Sequence, residues 1–206
     1  MNSIKPIFEN VLVLSPHTDD GELASGGTIA RLIENGCHVH FVAFSAWRQV
    51  LKDECAASMK TLGVEDYAIL DFPRRHFPEK RQEILQYLYD LNRERKFDLV
   101  LTPSTSDLHQ DHQAVTNEAL RAFKHSSILG YELPWNHIEF KENGFVSLQR
   151  EHVDLKLKAL LCYETQHGRP YFDEDYLIGL TRSRGLPVGV KYAEAYEVIK
   201  IILGDP

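Results

Sequence analysis

The feature that most restricts the fold is a regular alternation of two hydrophobic patterns over the first 124 residues. Short apolar runs at Val11–Ser15, His38–Ser45, Tyr67–Leu70 and Asp98–Thr102 have the length and side-chain character of buried strands. Between them lie stretches with apolar residues three and four apart. Ile29, Leu32 and Ile33 do this within Ser25–Asn35, and Ile84, Leu85, Leu88 and Leu91 within Glu79–Arg95. Helices are also expected at Asp53–Leu62 and from about Gln113 to Lys124, with Gly36 and Gly63 as stop signals. Continuous apolar strands are buried on both faces, and strict strand–helix alternation places helices on both sides of a parallel sheet. The expected fold class is therefore α/β: a Rossmann-like doubly wound sheet, mostly parallel. After Ser126 the pattern changes. Strands are expected at Ile128–Glu132, Gly144–Leu148 and Tyr196–Leu203, and helices at Asp154–Tyr163 and Glu174–Thr181. This C-terminal strand/helix elaboration extends the sheet and walls a site. No linker, repeat or low-complexity stretch divides the 206 residues, so a single domain over 1–206 is expected.

Composition excludes several classes. Hydrophobic residues make up 43% and charged residues 26%, ordinary values for a soluble globular chain. No apolar run approaches the roughly 20 residues of a membrane span. The N-terminal MNSIKPIFENVLVLSPHTDD has one lysine and an apolar stretch that runs into acids, unlike a signal peptide. A net charge of −7 leaves no basic footprint for nucleic acid. Cys37, Cys55 and Cys162 are odd in number and lack CxxC spacing. They read as buried or partly buried thiols in a reducing, cytoplasmic setting.

Two clusters carry chemistry. Pro16-His17-Thr18-Asp19-Asp20-Gly21-Glu22 follows the first strand, and Asp107-Leu108-His109-Gln110-Asp111-His112 follows the fourth. Imidazole and carboxylate together suit zinc or another divalent first-row metal. An aspartate in the first cluster would also serve as a plain helix cap. Placement favours the metal reading. In a sheet of order 3-2-1-4-5 the first and fourth strands are neighbours, and the crevice between them is where such sheets bind ligands. The clusters then converge, and three protein ligands with an open position form the catalytic zinc pattern. The Gly26-Gly27 pair sits inside the following helix, and is expected to permit close helix–sheet packing.

These motifs resemble the LmbE-like, PIG-L-like family of zinc-dependent N-acetylglucosamine deacetylases. The family's P-H-P-D-D-E corresponds to PHTDDGE here, and its H-P-D-H to HQDH. Looser matches are Glu54 with Leu62-Gly63, the segment Lys156 through Gln166, Arg184-Gly185, and Tyr192-Ala193-Glu194-Ala195. Thr18 replaces a proline, and Gly21 displaces Glu22 by one position. Ligand spacing is untouched, and Glu22 is left to complement the next helix's N-terminus. The resemblance implies His17, Asp20 and His112 as the Zn2+ ligands and Asp19 as general base. It implies a protonated His109 as transition-state stabiliser. Asp111 would orient an imidazole.

The implied reaction removes the acetyl group from an N-acetylated amino sugar or glycoconjugate, releasing acetate. Relatives assemble as trimers or hexamers, so a homo-oligomer is expected. Arg48, Arg74, Arg75 and Arg81 lie in or beside loops after the second and third strands. An arginine there would grip a phosphate or sugar hydroxyls; Arg81, and Arg184 in the closing signature, are the foremost candidates for substrate contact, with Trp47, Tyr131 and Trp135 for stacking on a sugar ring. His38 and His40 read as structural. Two other readings stay open: a metal-dependent phosphoesterase, which would favour two metals, and a non-catalytic nucleotide- or metabolite-binding module.

Overall fold

The computed structural model describes residues 8–203. Residues 1–7, which hold part of the N-terminal stretch read as lacking signal-peptide character, and residues 204–206 lie outside the described residues. Strands β1 (Asn10–His17), β2 (His38–Ser45), β3 (Asp66–Ile69), β4 (Leu99–Pro103) and β5 (Ser127–Tyr131) pair in parallel. Strands β6 (Gly144–Leu148) and β7 (Tyr192–Lys200) complete the sheet, in the order β3-β2-β1-β4-β5-β7-β6. β7 runs antiparallel to both β5 and β6.

Alternate residues of the central strands feed two cores. Val11 and Val13 pack with Leu23 and Ile29 of α1 (Asp20–Glu34), Met59 of α2 (Gln49–Leu62) and Leu160 of α5 (Arg150–Leu160). Leu12 and Leu14 face the other way, towards Ile84 and Leu88 of α3 (Arg81–Arg95) and Val115 of α4 (Gln110–Ala122). This two-sided burial explains the unbroken apolar runs of the strands. The last helix, α6 (Glu174–Gly185), packs beside β7.

Boundaries depart from the sequence expectations mainly at helix starts. α1 begins at Asp20 rather than Ser25, α2 at Gln49 rather than Asp53, and α4 at Gln110 rather than Gln113. The first turns of α1 and α4 are polar because they carry site residues, so apolar periodicity does not reveal them. β7 begins at Tyr192, not Tyr196, because Tyr192–Ala195 pair with β6; the small and charged side chains of Ala193-Glu194-Ala195 gave no apolar run to mark it. Ile201, Ile202 and Leu203 fall outside the strand and are exposed. Gly63 caps α2 with φ of 78°, a left-handed conformation that favours glycine. Among the described residues no helix is long and apolar enough to cross a membrane.

The looser sequence matches meet one another in space. Lys156 of α5 is buried and reaches Glu194 of β7 at 2.7 Å. Glu194 also accepts the backbone N–H groups of Gly27 (3.1 Å) and Thr28 (2.7 Å) in α1. A Cβ at position 26 would stand 2.8 Å from Lys156 Cγ, and one at position 27 would stand 2.5 Å from Leu148 Cδ1. The glycine pair therefore lets α1, α5 and the paired strands β6 and β7 close on one buried ion pair. Glu54 of α2 accepts the backbone N–H and hydroxyl of Thr165, pinning the loop after α5. Removing one partner of a buried pair typically costs about 3–5 kcal/mol. Lys156→Met should lower unfolding stability by roughly that amount in urea titration. A loss below about 1 kcal/mol would show that the pair is not what closes this face.

Candidate metal centre and active site

The two sequence clusters meet at the C-terminal edge of the sheet. β1 ends on His17, and only Thr18 and Asp19 separate it from the first turn of α1. Its neighbour β4 leads through Asp107 and His109 into the first turn of α4, which carries Asp111 and His112. The adjacency of β1 and β4 thus joins residues about 95 positions apart. His17 Nδ1 lies 3.0 Å from Asp20 Oδ2, His112 Nε2 lies 3.1 Å from the same oxygen, and the two nitrogens are 3.3 Å apart. In a tetrahedral zinc site with bonds of about 2.0–2.1 Å, ligand atoms stand about 3.3 Å from one another. The triangle therefore has the dimensions of one face of such a site.

The outer nitrogen of each imidazole faces a buried carboxylate. His17 Nε2 is 3.1 Å from Asp111 Oδ2, and His112 Nδ1 is 2.8 Å from Asp107 Oδ2. A proton held on each outer nitrogen leaves the inner lone pairs directed at the triangle, the usual support for a metal-ligating histidine. Asp111 also accepts the backbone N–H groups of Arg75 (2.6 Å) and Phe77 (3.2 Å), and Asp107 accepts that of His109 (2.8 Å). Burial opposes a charge on His17, yet Asp20 and Asp111 carry its pKa up to about 9. His112 is buried too, and Asp20 and Asp107 carry it up to about 10. Burial also works against Asp20, but His112 and His17 hold its carboxyl well below the usual carboxylate range. A shared carboxylate between two imidazoles that bind protons this strongly is a seat for a cation.

His109 joins His17 and His112 in a second grouping, whose ligand atoms all lie within 4.8 Å of one another. The Asp20 triangle is tighter. His109 Nδ1 is already engaged, accepting the Asp111 backbone N–H at 3.2 Å as the N-cap of α4. Burial, then His112 and His17, push the His109 pKa down. With Nδ1 accepting, Nε2 is the ring position left to present a donor proton to the cavity.

Asp19 lines the same cavity and makes no side-chain capping bond to α1. Burial and the adjacent Asp20 push its pKa up to about 6, suited to accepting a proton near neutral pH. Glu22 lies in the first turn of α1, as expected of a helix N-terminal acid. It is fully buried and accepts Tyr163 Oη (2.5 Å) and Ser58 Oγ (2.8 Å), with burial pushing its pKa up to about 8.

The cavity above the triangle has a volume of about 290 Å³. Trp47, Arg74, Arg75, Trp135, Arg169 and Tyr171 line it beyond the ligand set. Arg81 and Arg184, expected at the substrate, do not line it. Arg81 Nε is 2.6 Å from Glu118, and Arg184 is held by Glu132 and Glu142. Tyr131 is likewise unavailable for stacking: it is fully buried, its hydroxyl donating to Leu14 O at 2.8 Å. Asp107, Arg169 and Tyr171 were not singled out as site residues from sequence. Asp107 was visible within its cluster, but Arg169 and Tyr171 sit in an irregular segment with no spacing signal. A wider cavity of about 550 Å³ opens at the opposite edge of the sheet, around His38, His40, Asp66 and Arg95. The C-terminal edge is where doubly wound sheets bind ligands, and the smaller cavity holds the strongly perturbed titratable groups.

Comparison with known proteins agrees with this geometry. The family model described as "PIG-L: GlcNAc-PI de-N-acetylase" matches residues 12–123, more than half of the chain. A protein of Escherichia coli (strain K12), the uncharacterized deacetylase YaiS, is 27% identical over 164 residues, 74% of this chain and 89% of that protein. The diacetylchitobiose deacetylase of Thermococcus kodakarensis is 24% identical over 226 residues, 93% of this chain and 83% of that protein. The crystal structure of GalB, the 4-carboxy-2-hydroxymuconate hydratase of Pseudomonas putida KT2440, superposes with a TM-score of 0.80 at 20% identity, covering 96% of this chain and 99% of that one. That likeness concerns the fold alone, and a hydratase on the same scaffold means that the fold does not choose the reaction. The family match, carried by the stretch that holds both ligand clusters, places the chain in the PIG-L family of de-N-acetylases.

Proposed function

We propose that the protein is a metal-dependent hydrolase that removes the acetyl group from an N-acetylated amino sugar, releasing acetate and the free amine. The observation that carries this reading is the triangle of His17 Nδ1, Asp20 Oδ2 and His112 Nε2, with Asp19 beside it in the same cavity. The family match and the sugar-deacetylating relative support the substrate class. Zn2+ is the cation that the nitrogen and oxygen donors and their spacing fit best. A divalent cation in that seat supplies Lewis acidity, which makes water a nucleophile near neutral pH and draws charge from an amide carbonyl.

The chain's own residues supply the rest. Asp19, basic enough to take a proton near pH 6 and above, accepts the proton of the attacking water. The water oxygen bonds to the acetamide carbon, and the C–N bond then breaks. The amine leaves with the proton that Asp19 took. The His109 Nε2–H donates to the charge that develops on the carbonyl oxygen, a contact typically worth about 2.7–4 kcal/mol in such sites. Asp111 and Asp107 keep His17 and His112 in the tautomers that ligation requires.

Acetate release from N-acetylglucosamine derivatives, assayed with and without chelator, tests the reaction. Release that stops on chelation and returns with one zinc per chain supports it; two metals per chain would favour a phosphoesterase. His112→Ala should lose stoichiometric metal, and full zinc occupancy in that variant would mean the ligand set is wrong. Asp111→Asn should keep the fold and weaken metal affinity about 10–100-fold, as outer-shell substitutions do. Asp19→Asn should keep its metal by elemental analysis and lose kcat by about 10²–10⁴-fold, the range of general acid–base contributions. Near-normal kcat in Asp19→Asn would remove it as the base.

A further inference from the structure

Asp19 occupies the N-cap position of α1 without acting as a cap. An aspartate there ordinarily uses its carboxylate to bond the N–H groups of the first turn, and that bond also fixes the turn. Asp19 makes no such bond, which leaves its carboxylate free at the cavity. Another group must then hold the turn from which it projects. Asp19 O accepts the N–H of Leu23 at 2.9 Å and so belongs to the helix. The peptide before it, whose carbonyl is that of Thr18, sets the direction in which the chain enters Asp19.

Two hydroxyl groups grip this turn. Ser15 Oγ donates to His17 O at 2.5 Å and accepts the Gly21 N–H at 2.9 Å, so it holds His17 and the start of α1. Tyr163 Oη donates to Thr18 O, so it holds the peptide that leads into Asp19. The same Oη lies 2.5 Å from Glu22 Oε1, which Ser58 Oγ also meets at 2.8 Å. Tyr163, Ser58 and Glu22 have no exposed surface, and Thr18 is 4% exposed. A carbonyl buried this deeply is satisfied by protein donors rather than by bulk water.

Tyr163 is presented by a segment that is itself fixed on both sides. It lies in the stretch Lys156 through Gln166, which takes no part in the steps proposed for the reaction. Lys156 at one end is bound to Glu194, and Thr165 near the other is bound to Glu54. The Tyr163 N–H donates to Leu160 O at 3.1 Å, and its carbonyl accepts the Gln166 N–H at 2.9 Å. Its ring belongs to the core that also holds Leu23 and Ile29 of α1 and Leu160 of α5. A side chain packed at core density has little room to move, so its hydroxyl is a fixed point for the Thr18 carbonyl.

Resting on the reading of Asp19 as the base, we infer that Tyr163 is its positioning residue. Tyr163 does not touch the reacting atoms. Its hydroxyl, clamped by Glu22, holds the Thr18 carbonyl and with it the peptide from which Asp19 projects. It does for this turn what a capping carboxylate does elsewhere, and so frees Asp19 for chemistry. A misplacement of about 1 Å at a reacting group costs about 10²-fold in rate, so the clamp acts on kcat and not on metal affinity or substrate binding.

A double-mutant cycle on the zinc-loaded protein tests this, with the N-acetylglucosamine derivative that releases acetate fastest. Tyr163→Phe removes the hydroxyl and keeps the whole buried ring, so the core stays filled. It should lower kcat about tenfold or more at one zinc per chain, with KM within about twofold of the wild type. In Asp19→Asn the same change should alter kcat by less than about twofold, because residues that act as a unit have non-additive effects. A purely structural role would reduce kcat by an equal factor in both backgrounds. That result overturns the inference, as does a Tyr163→Phe enzyme with unchanged kcat. Ser58→Ala removes the other partner of Glu22 without touching Thr18 and should keep kcat within about twofold. A loss matching that of Tyr163→Phe would trace the effect to Glu22 instead and likewise overturn the clamp. If wild-type protein releases no acetate, or Asp19→Asn keeps its kcat, the reading of the base fails. The crystal structure of zinc-loaded Tyr163→Phe then decides the clamp alone. An Asp19 carboxylate shifted by about 1 Å or more, with His17, Asp20 and His112 in place, upholds it, and an unshifted Asp19 overturns it.

Discussion

The site depends on one constraint: β1 and β4 must lie side by side with both C-terminal ends at the same edge. Their register pairs Val11 with Leu99 and Val13 with Leu101, and both strands are buried on two faces. A slip of one residue would turn every side chain of a strand to the opposite face. Burial on both sides therefore fixes the register as well as the position. Because the strand ends are fixed, His17 and the first turn of α4 arrive at one point, and the 3.0–3.3 Å triangle follows. The hydrophobic core thus sets the geometry of a polar site that contributes little apolar surface itself.

Concentrating charge at that point is costly unless each buried group is satisfied. Asp107 and Asp111 are both fully buried; besides facing an imidazole, Asp107 accepts one backbone N–H and Asp111 two. Such charge-assisted bonds offset much of the desolvation. They also carry positional information. Asp111 couples the tautomer of His17 to the backbone of the loop after β3, so the geometry of the metal seat and the placing of Arg74 and Arg75 share one carboxylate. The second buried ion pair, Lys156–Glu194, acts far from the chemistry by holding α1 against α5 and β7.

Much of this was legible in the sequence, for definite reasons. Apolar runs and three–four spacing disclosed the five parallel strands and their helices because burial on two faces leaves a strong pattern. β2 and β6 fall on the expected residues, and the order around β1 and β4 is the expected one. The convergence of the His17 and His112 clusters followed from that order. Helix starts were harder to place, since the first turns of α1 and α4 carry Asp20, Glu22, Asp111 and His112 and hence no apolar period. Arg81 was expected at the substrate from its place beside a loop and Arg184 from the closing signature; their carboxylate partners, Glu118 and Glu132, are 37 and 52 residues away in sequence and so were not visible. Arg169 and Tyr171 reach the cavity from an irregular segment whose path is set by tertiary contacts such as Glu54 with Thr165. No local spacing rule encodes such contacts.

The central claim is that His17, Asp20 and His112 hold one cation. Anomalous diffraction recorded on both sides of the zinc absorption edge, from crystals grown with zinc, tests it most directly. The account predicts a single strong peak per chain at bonding distance, about 2.0–2.2 Å, from His17 Nδ1, a carboxylate oxygen of Asp20 and His112 Nε2. A peak bound through His109 with Asp20 turned away, or no peak between the two imidazoles, would contradict it.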